Sequence, residues 1–141
     1  MEKITFTPIG KVSANPAYDY DTPLRLLKSE TSRLQIFPAY AEALLGIEEC
    51  TYIDVIFYFD RLRKEAVPLT VRTASGAERG IFALRTPRRP NLIGVTTVRL
   101  LEVDGNELIV EGLDALDGTP VLDIKRAGET LIRSADSAGC T

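Results

Sequence analysis

Between Arg85 and Gly94 the chain reads Arg85-Thr86-Pro87-Arg88-Arg89-Pro90-Asn91-Leu92-Ile93-Gly94, with three arginines and two prolines in its first six residues. A guanidinium group pairs with phosphate or carboxylate through two parallel hydrogen bonds. Proline fixes φ, so the loop is stiffened and its arginines are presented. Gly94, lacking a Cβ, lets a ligand approach the backbone closely. The loop reads either as an anion site or as an exposed basic turn. A second constellation is Leu113-Asp114-Ala115-Leu116-Asp117-Gly118-Thr119-Pro120, followed by Val121-Leu122-Asp123-Ile124-Lys125. Its Asp-Gly-Thr-Pro core is a turn sequence. Asp123 and Lys125 share one strand face, because alternate strand residues point the same way. Carboxylates there suit hydrogen bonds from sugar hydroxyls or amino groups. A third, Asp60-Arg61-Leu62-Arg63-Lys64, reads as a solvated strand end or a further contact for an anionic substrate.

The charge distribution favours a local anion site. The 141 residues carry a net charge of −3, but residues 59–99 hold nine basic and three acidic groups. The acidic excess lies in the flanks, with eight acidic and five basic groups before residue 59 and nine and three after residue 99. There is no histidine, which excludes Ser-His and Cys-His nucleophile pairs and any histidine-ligated metal. Cys50 and Cys140 are too few for a cysteine zinc site and read as free thiols. No metal is expected. No run approaches the ~18–20 apolar residues of a membrane span. Met1-Glu2-Lys3-Ile4 lacks the pattern of a secretion signal, so a cytoplasmic protein with no membrane partner is expected.

The elements that must position these residues are mostly strands. Lys3 to Val12 alternates around Pro8; Leu34–Phe37, Tyr52–Phe59, Leu69–Arg72, Gly80–Arg85, Gly94–Val103, Glu107–Val110 and Val121–Ile124 follow. Tyr52–Phe59 is apolar on both faces and reads as central. Asp104-Gly105 marks a tight hairpin. Ser13 to Thr22 reads as a loop, and residues 24–28 as a short irregular turn. Pro38 opens one short helix, with Tyr40, Ala43, Leu44 and Ile47 at helical spacing and Gly46 to end it. This predicts an all-β fold, a small barrel or sandwich with one short helix. Residues 1–125 form the single expected domain. Residues 126–141 lack periodicity and are expected to form a mobile tail.

The run Gly80-Ile81-Phe82-Ala83-Leu84-Arg85-Thr86-Pro87-Arg88-Arg89-Pro90-Asn91-Leu92-Ile93-Gly94 resembles the signature G-V-F-A-T-R-S-P-x-R-P-N-P-I-G of the TsaA-like, or TrmO-type, family. Leu113 to Lys125 resembles the same family's second signature, G-L-D-x-x-D-G-T-P-V-L-D-I-K-P. Pro8-Ile9-Gly10, Phe37-Pro38 with Tyr40, and Thr70-Val71-Arg72 agree in order and spacing. The resemblance implies a small antiparallel β-barrel that forms a homodimer and uses S-adenosylmethionine. It implies methylation of the adenine amino nitrogen of threonylcarbamoyladenosine in tRNA. Carried over at matching positions, it implies cofactor contacts at Arg85, Val95, Leu116, Asp117, Gly118 and Thr119. On the substrate side it points to Arg72, Arg89, Asn91 and Lys125. Asp117 and Asp123 are the candidate carboxylate bases for a weakly nucleophilic nitrogen.

Several positions depart from the family pattern. Asp60-Arg61 stands where the family has a His-Gln pair, Leu92 replaces the proline of N-P-I-G, and Arg126 replaces the proline after I-K. The segment after Arg72 loses a second arginine and an asparagine. Two other readings share the same residues: a methyltransferase with a different acceptor, and a non-catalytic barrel that binds an adenosine-like ligand.

Overall fold

The computed structural model describes residues 1–63 and 67–128. Six strands close into an antiparallel barrel: β1 (Gly10–Ser13), β2 (Thr31–Ile36), β3 (Tyr52–Tyr58), β6 (Ile93–Asp104), β7 (Glu107–Glu111) and β8 (Pro120–Arg126). Around the barrel the order is β1-β2-β7-β6-β3-β8, and β8 pairs back to β1 through Gly10–Val121 and Lys11–Pro120. Two further strands, β4 (Thr70–Arg72) and β5 (Glu78–Gly80), form a separate hairpin.

The side-chain period of two explains the closure. Along β3, Ile53, Val55 and Phe57 are buried while Tyr52, Asp54, Ile56 and Tyr58 are half-buried. The other strands contribute Val12, Leu34, Ile36, Val98, Leu108, Val110 and Val121 to the same interior. Each such side chain contributes about 1.5–3 kcal/mol through removal from water. β3 pairs with β6 on one side and β8 on the other, and in a closed barrel it is no more central than its neighbours; its outer face is half-buried. Pairing with β8 is offset at Ile56/Phe57, so Leu122 is an extra residue there and β8 bends. The β6–β7 hairpin turns at Gly105-Asn106, where Gly105 takes a φ of 59°.

Some elements differ from the sequence expectation. Residues 1–9 form no strand, and Ile4 and Phe6 are exposed; the ladder begins at Gly10, next to Ile9, whose N–H donates to Val121 O and whose carbonyl accepts from Phe37 N–H. Residues Leu24–Ser29 form a short α-helix (α1) rather than an irregular turn. Pro38–Leu44 is a 3₁₀ helix, not an α-helix. A segment this short favours the tighter i→i+3 bonding, and it still turns Tyr40 and Leu44 onto the core. The strand expected over Gly80–Arg85 ends at Gly80, because burial of Ile81 draws the chain inward through a 3₁₀ turn over Ile81–Ala83. At the other end β8 extends to Arg126, and Ala127 is buried with its N–H donating to Tyr52 O. Of the expected tail, residues 129–141 lie outside the described residues, as does Lys64 of the third constellation.

Closure depends on the absence of a side chain at Gly10. A Cβ built there would lie 2.4 Å from the Gln35 carbonyl oxygen, a backbone atom that cannot swing away. Gly10→Ala is expected to destabilise the fold by about 2–3 kcal/mol, from overpacking at a fixed backbone contact. A drop in the urea unfolding midpoint at unchanged slope checks this.

Candidate functional site

A cleft of about 900 Å³ opens at one end of the barrel. One wall is α1 and the residues before it, including Tyr20, Thr22 and Lys28; the opposite wall is the loop from Phe82 to Arg89. The floor is aromatic. Phe57 and Phe59 meet edge to face at 5.2 Å, and Tyr20 packs edge to face on Phe59 at 5.9 Å. Gly94 lies directly against this floor: a Cβ there would come within 2.8 Å of ring atoms of both phenylalanines. Its value is thus to let the β6 backbone rest on the rings as well as to keep the cleft open.

The arginine loop is built rather than free. Ile81 anchors its start in the core. The Arg89 guanidinium donates to Leu84 O at 2.8 Å and to Thr86 O at 3.2 Å, closing the loop on itself. Arg85 donates through Nη2 to Val95 O at 2.6 Å, which ties the loop to β6. Both side chains line the cleft and keep further N–H donors for a ligand. Val95 is exposed and lines the cleft beside Arg85. Asn91 is exposed but does not line it. Next to it, Leu92 is fully buried at a φ of 53°. A proline cannot take this value, so the local path at Leu92 is one that the family's proline would forbid.

The second constellation lies differently. Leu116 and Thr119 are buried, and the Thr119 hydroxyl donates to Leu116 O at 2.7 Å, inside their own turn. Gly118 has a φ of 80° and donates to Val12 O, while Thr119 O accepts from Val12 N–H. Asp117 Oδ1 accepts from Ala14 N–H at 3.0 Å. The turn is therefore bound to β1 and the residues after it, and its side chains do not line the cleft. The Arg61 guanidinium donates to Asp117 O, so the residue in the family's Gln position clasps this turn. Asp123 and Lys125 do share a face, as predicted, but it is the outer face of β8. They sit opposite Ile56 and Asp54, are exposed, and lie away from the cleft. Asp123 Oδ1 accepts from Ile124 N–H. Arg72 is exposed on the β4–β5 hairpin, where it donates to Gly76 O at 2.7 Å.

Five polar groups in the cleft were missed by sequence reasoning: Tyr20, Thr22, Lys28, Thr96 and Asp114. Asp114 is the carboxylate that lines it among the described residues, and its Oδ1 accepts from Thr96 Oγ1 at 2.6 Å. Asp114 belongs to the quoted second signature, but spacing alone does not separate it from Asp117. Thr96 shares with Gly94 and Val98 the inward face of β6, a signal that strand alternation did carry. Tyr20 lies in a segment read only as a loop. Its hydroxyl is buried without a hydrogen-bond partner among the described residues. Burial raises its pKa, and the Asp60 charge adds to the rise; the Arg61 charge opposes it.

Comparison with known proteins adds an independent line. Residues 19–130 match the tRNA-methyltransferase O N-terminal domain. A probable S-adenosyl-L-methionine-binding protein of Archaeoglobus fulgidus is 47% identical over 110 residues, 78% of this chain and 29% of that protein. An S-adenosyl-L-methionine-binding protein of the same organism is 40% identical over 120 residues, 84% of this chain and 86% of that protein. The tRNA (adenine(37)-N6)-methyltransferase of Mus musculus is 40% identical over 96 residues, 66% of this chain and 22% of that protein. The crystal structure of TrmO from Pseudomonas aeruginosa superposes with a TM-score of 0.72 at 31% identity, covering 96% of this chain and 60% of that one. The chain thus spans most of one of these relatives and under a third of two others.

The buried Tyr20 hydroxyl makes stability depend on alkaline pH. A phenol whose pKa is raised by folding contributes stability fully below its unfolded value near 10 and loses it as pH rises through the folded value. Tyr20→Phe removes this dependence. The variant is expected to be at least as stable as the parent near neutral pH, with the difference growing in its favour above pH ~10. Melting temperatures of both proteins from pH 7 to 11 check it.

Proposed function

We propose that this chain, which belongs to the tRNA-methyltransferase O N-terminal domain family, binds S-adenosylmethionine in the cleft beside Arg85 and methylates the adenine amino nitrogen of threonylcarbamoyladenosine in tRNA. The observation that carries this reading is the arginine loop clamped onto β6 at the lip of an aromatic-floored cleft. The residues present fit such a cofactor. Phe57, Phe59 and Tyr20 offer apolar surface for a purine, and Arg85 and Lys28 offer cations for a carboxylate. The relatives named as S-adenosyl-L-methionine-binding proteins and as a tRNA methyltransferase support the same assignment.

The cofactor, when bound, supplies a methyl group on a sulfonium sulfur, so the hard chemistry does not fall to the protein. The chain's residues bind and orient. Arg85 stays fixed by Val95 O while its other N–H groups meet an anion. The turn Leu116-Asp117-Gly118-Thr119 offers main chain and the small Gly118 to a ligand reaching beyond the cleft. Arg72, Asn91 and Lys125 lie exposed, and Arg89 lines the cleft, as contacts for a polyanionic acceptor; phosphate contacts of this kind set position rather than sequence. Exposed apolar groups beside the cleft, Phe82, Val95 and Leu24, support a homodimer with the site near the subunit contact. No helix among the described residues is long and apolar enough to cross a membrane, and a cytoplasmic location is part of the proposal.

A second reading, a barrel that binds an adenosine-like ligand without turnover, draws on Asp60-Arg61 standing in place of the family's His-Gln pair. Calorimetric titration with S-adenosylmethionine decides the shared part. Arg85→Ala is expected to weaken binding about 10- to 100-fold, the weight of a charge-assisted hydrogen bond. Methyl incorporation into threonylcarbamoylated tRNA then separates enzyme from binder. Absence of binding, alone and with that tRNA present, would sink both readings.

A further inference from the structure

We infer that Asp114 is the base that receives the proton from the acceptor nitrogen, and that Thr96 is its positioning residue. This rests on the methyl-transfer reading above. Three cations line it, Lys28, Arg85 and Arg89, against the single carboxylate of Asp114 among the described residues. The sequence candidates Asp117 and Asp123 do not line it. Asp117 is held by Ala14 N–H, and Asp123 lies on the outer face of β8.

The geometry around Asp114 is that of a carboxylate held by one oxygen. Thr96 is buried on the inward face of β6, two residues from Gly94, and its hydroxyl donates to Asp114 Oδ1 at 2.6 Å. The other oxygen has no protein partner among the described residues. A carboxylate has about four acceptor sites, so one bond from Thr96 leaves capacity for a ligand N–H. The Thr96 bond restrains the carboxylate through Oδ1 and leaves its other oxygen available.

The chemistry needs such a group. An amino nitrogen conjugated to a purine ring has its lone pair delocalised, and a carbamoyl substituent withdraws it further. As this nitrogen bonds the methyl carbon, the carbon–sulfur electron pair stays with sulfur. The N–H electron pair stays on nitrogen, and the proton passes to the free oxygen of Asp114. Charge balances: a sulfonium and a carboxylate become a thioether and a carboxylic acid, with the nitrogen neutral before and after. A positioned base contributes about 10²–10⁴-fold to such a step.

The competing assignment is that Asp114 binds the cofactor, for example at ribose hydroxyls, and calorimetry separates the two. Asp114→Asn keeps the Thr96 bond through the amide oxygen but presents an N–H₂ group that cannot take a proton. The expected result is S-adenosylmethionine affinity within about 3-fold of the parent, and single-turnover methylation of threonylcarbamoylated tRNA reduced about 10²–10⁴-fold. Thr96→Val is expected to slow transfer about 10-fold at unchanged affinity, and Thr96→Ser to restore it. A parallel loss of affinity and rate in Asp114→Asn would overturn the inference in favour of cofactor binding. A rate within 3-fold of the parent would overturn it outright. If Asp114→Asn does not fold, Thr96→Val carries the test, and full activity there is equally decisive against it. A parent protein that binds the cofactor but transfers no methyl group would overturn the methyl-transfer reading itself, and with it this one.

Discussion

The contact between Gly94 and the rings of Phe57 and Phe59 is the constraint on which the cleft depends. β3 and β6 are paired so that Phe57 lies opposite Gly94, and both face inward. A side chain at position 94 would either displace the rings or fill the space above them. With only hydrogen there, the rings cap the barrel core on one side and present an apolar floor on the other. One pairing thus serves packing and ligand access together. Interiors packed at crystal-like density leave little freedom for such double use, so the position admits no larger residue.

The walls follow from how the basic loop solves its backbone problem. A loop rich in proline has few N–H donors of its own and leaves carbonyls to be satisfied. Arg89 meets Leu84 O and Thr86 O, and Arg85 meets Val95 O. A guanidinium group has five N–H donors in a fixed fork, so each arginine can hold a carbonyl and still offer donors elsewhere. Lysine would not do both with the same rigidity. The arginines are therefore structural and cleft-lining at once. The two readings of this loop, anion site or stiffened basic turn, are compatible rather than opposed.

How much of this was legible depends on the range of the interaction. Strand positions followed from local alternation, and β3 and β6 came out close to their observed bounds. Local pattern leaves barrel and sandwich open, because closure rests on β8 pairing back to β1, Val121 to Gly10, from the far end of the domain. The arginine loop was legible because its residues are contiguous. Asp114 was not, because its partner Thr96 lies 18 residues away on β6, and the β6–β7 hairpin brings the segment after β7 back beside it. The place of Asp123 was hidden for a related reason. Alternation correctly paired it with Lys125, but period two says which residues share a face and not which face is inside. The bulge at Leu122 adds a shift that no local pattern announces.

The departures from the family pattern can be weighed in the same terms. Arg61 stands one residue beyond an aspartate in place of a His-Gln pair, and its guanidinium reaches the carbonyl of Asp117. The side chain that replaces a polar neutral group has thus become a tie between two loops. Asp60, next to it, contributes to the raised pKa of Tyr20. A histidine or glutamine would bring neither the permanent cation nor the adjacent anion. The tie acts on main chain, so it fixes the turn without prescribing its side chains. The substitution therefore changes how the rim is held and charged, and it reaches the cleft through Tyr20, which packs on Phe59, while Gly94 and Thr96 stand on β6.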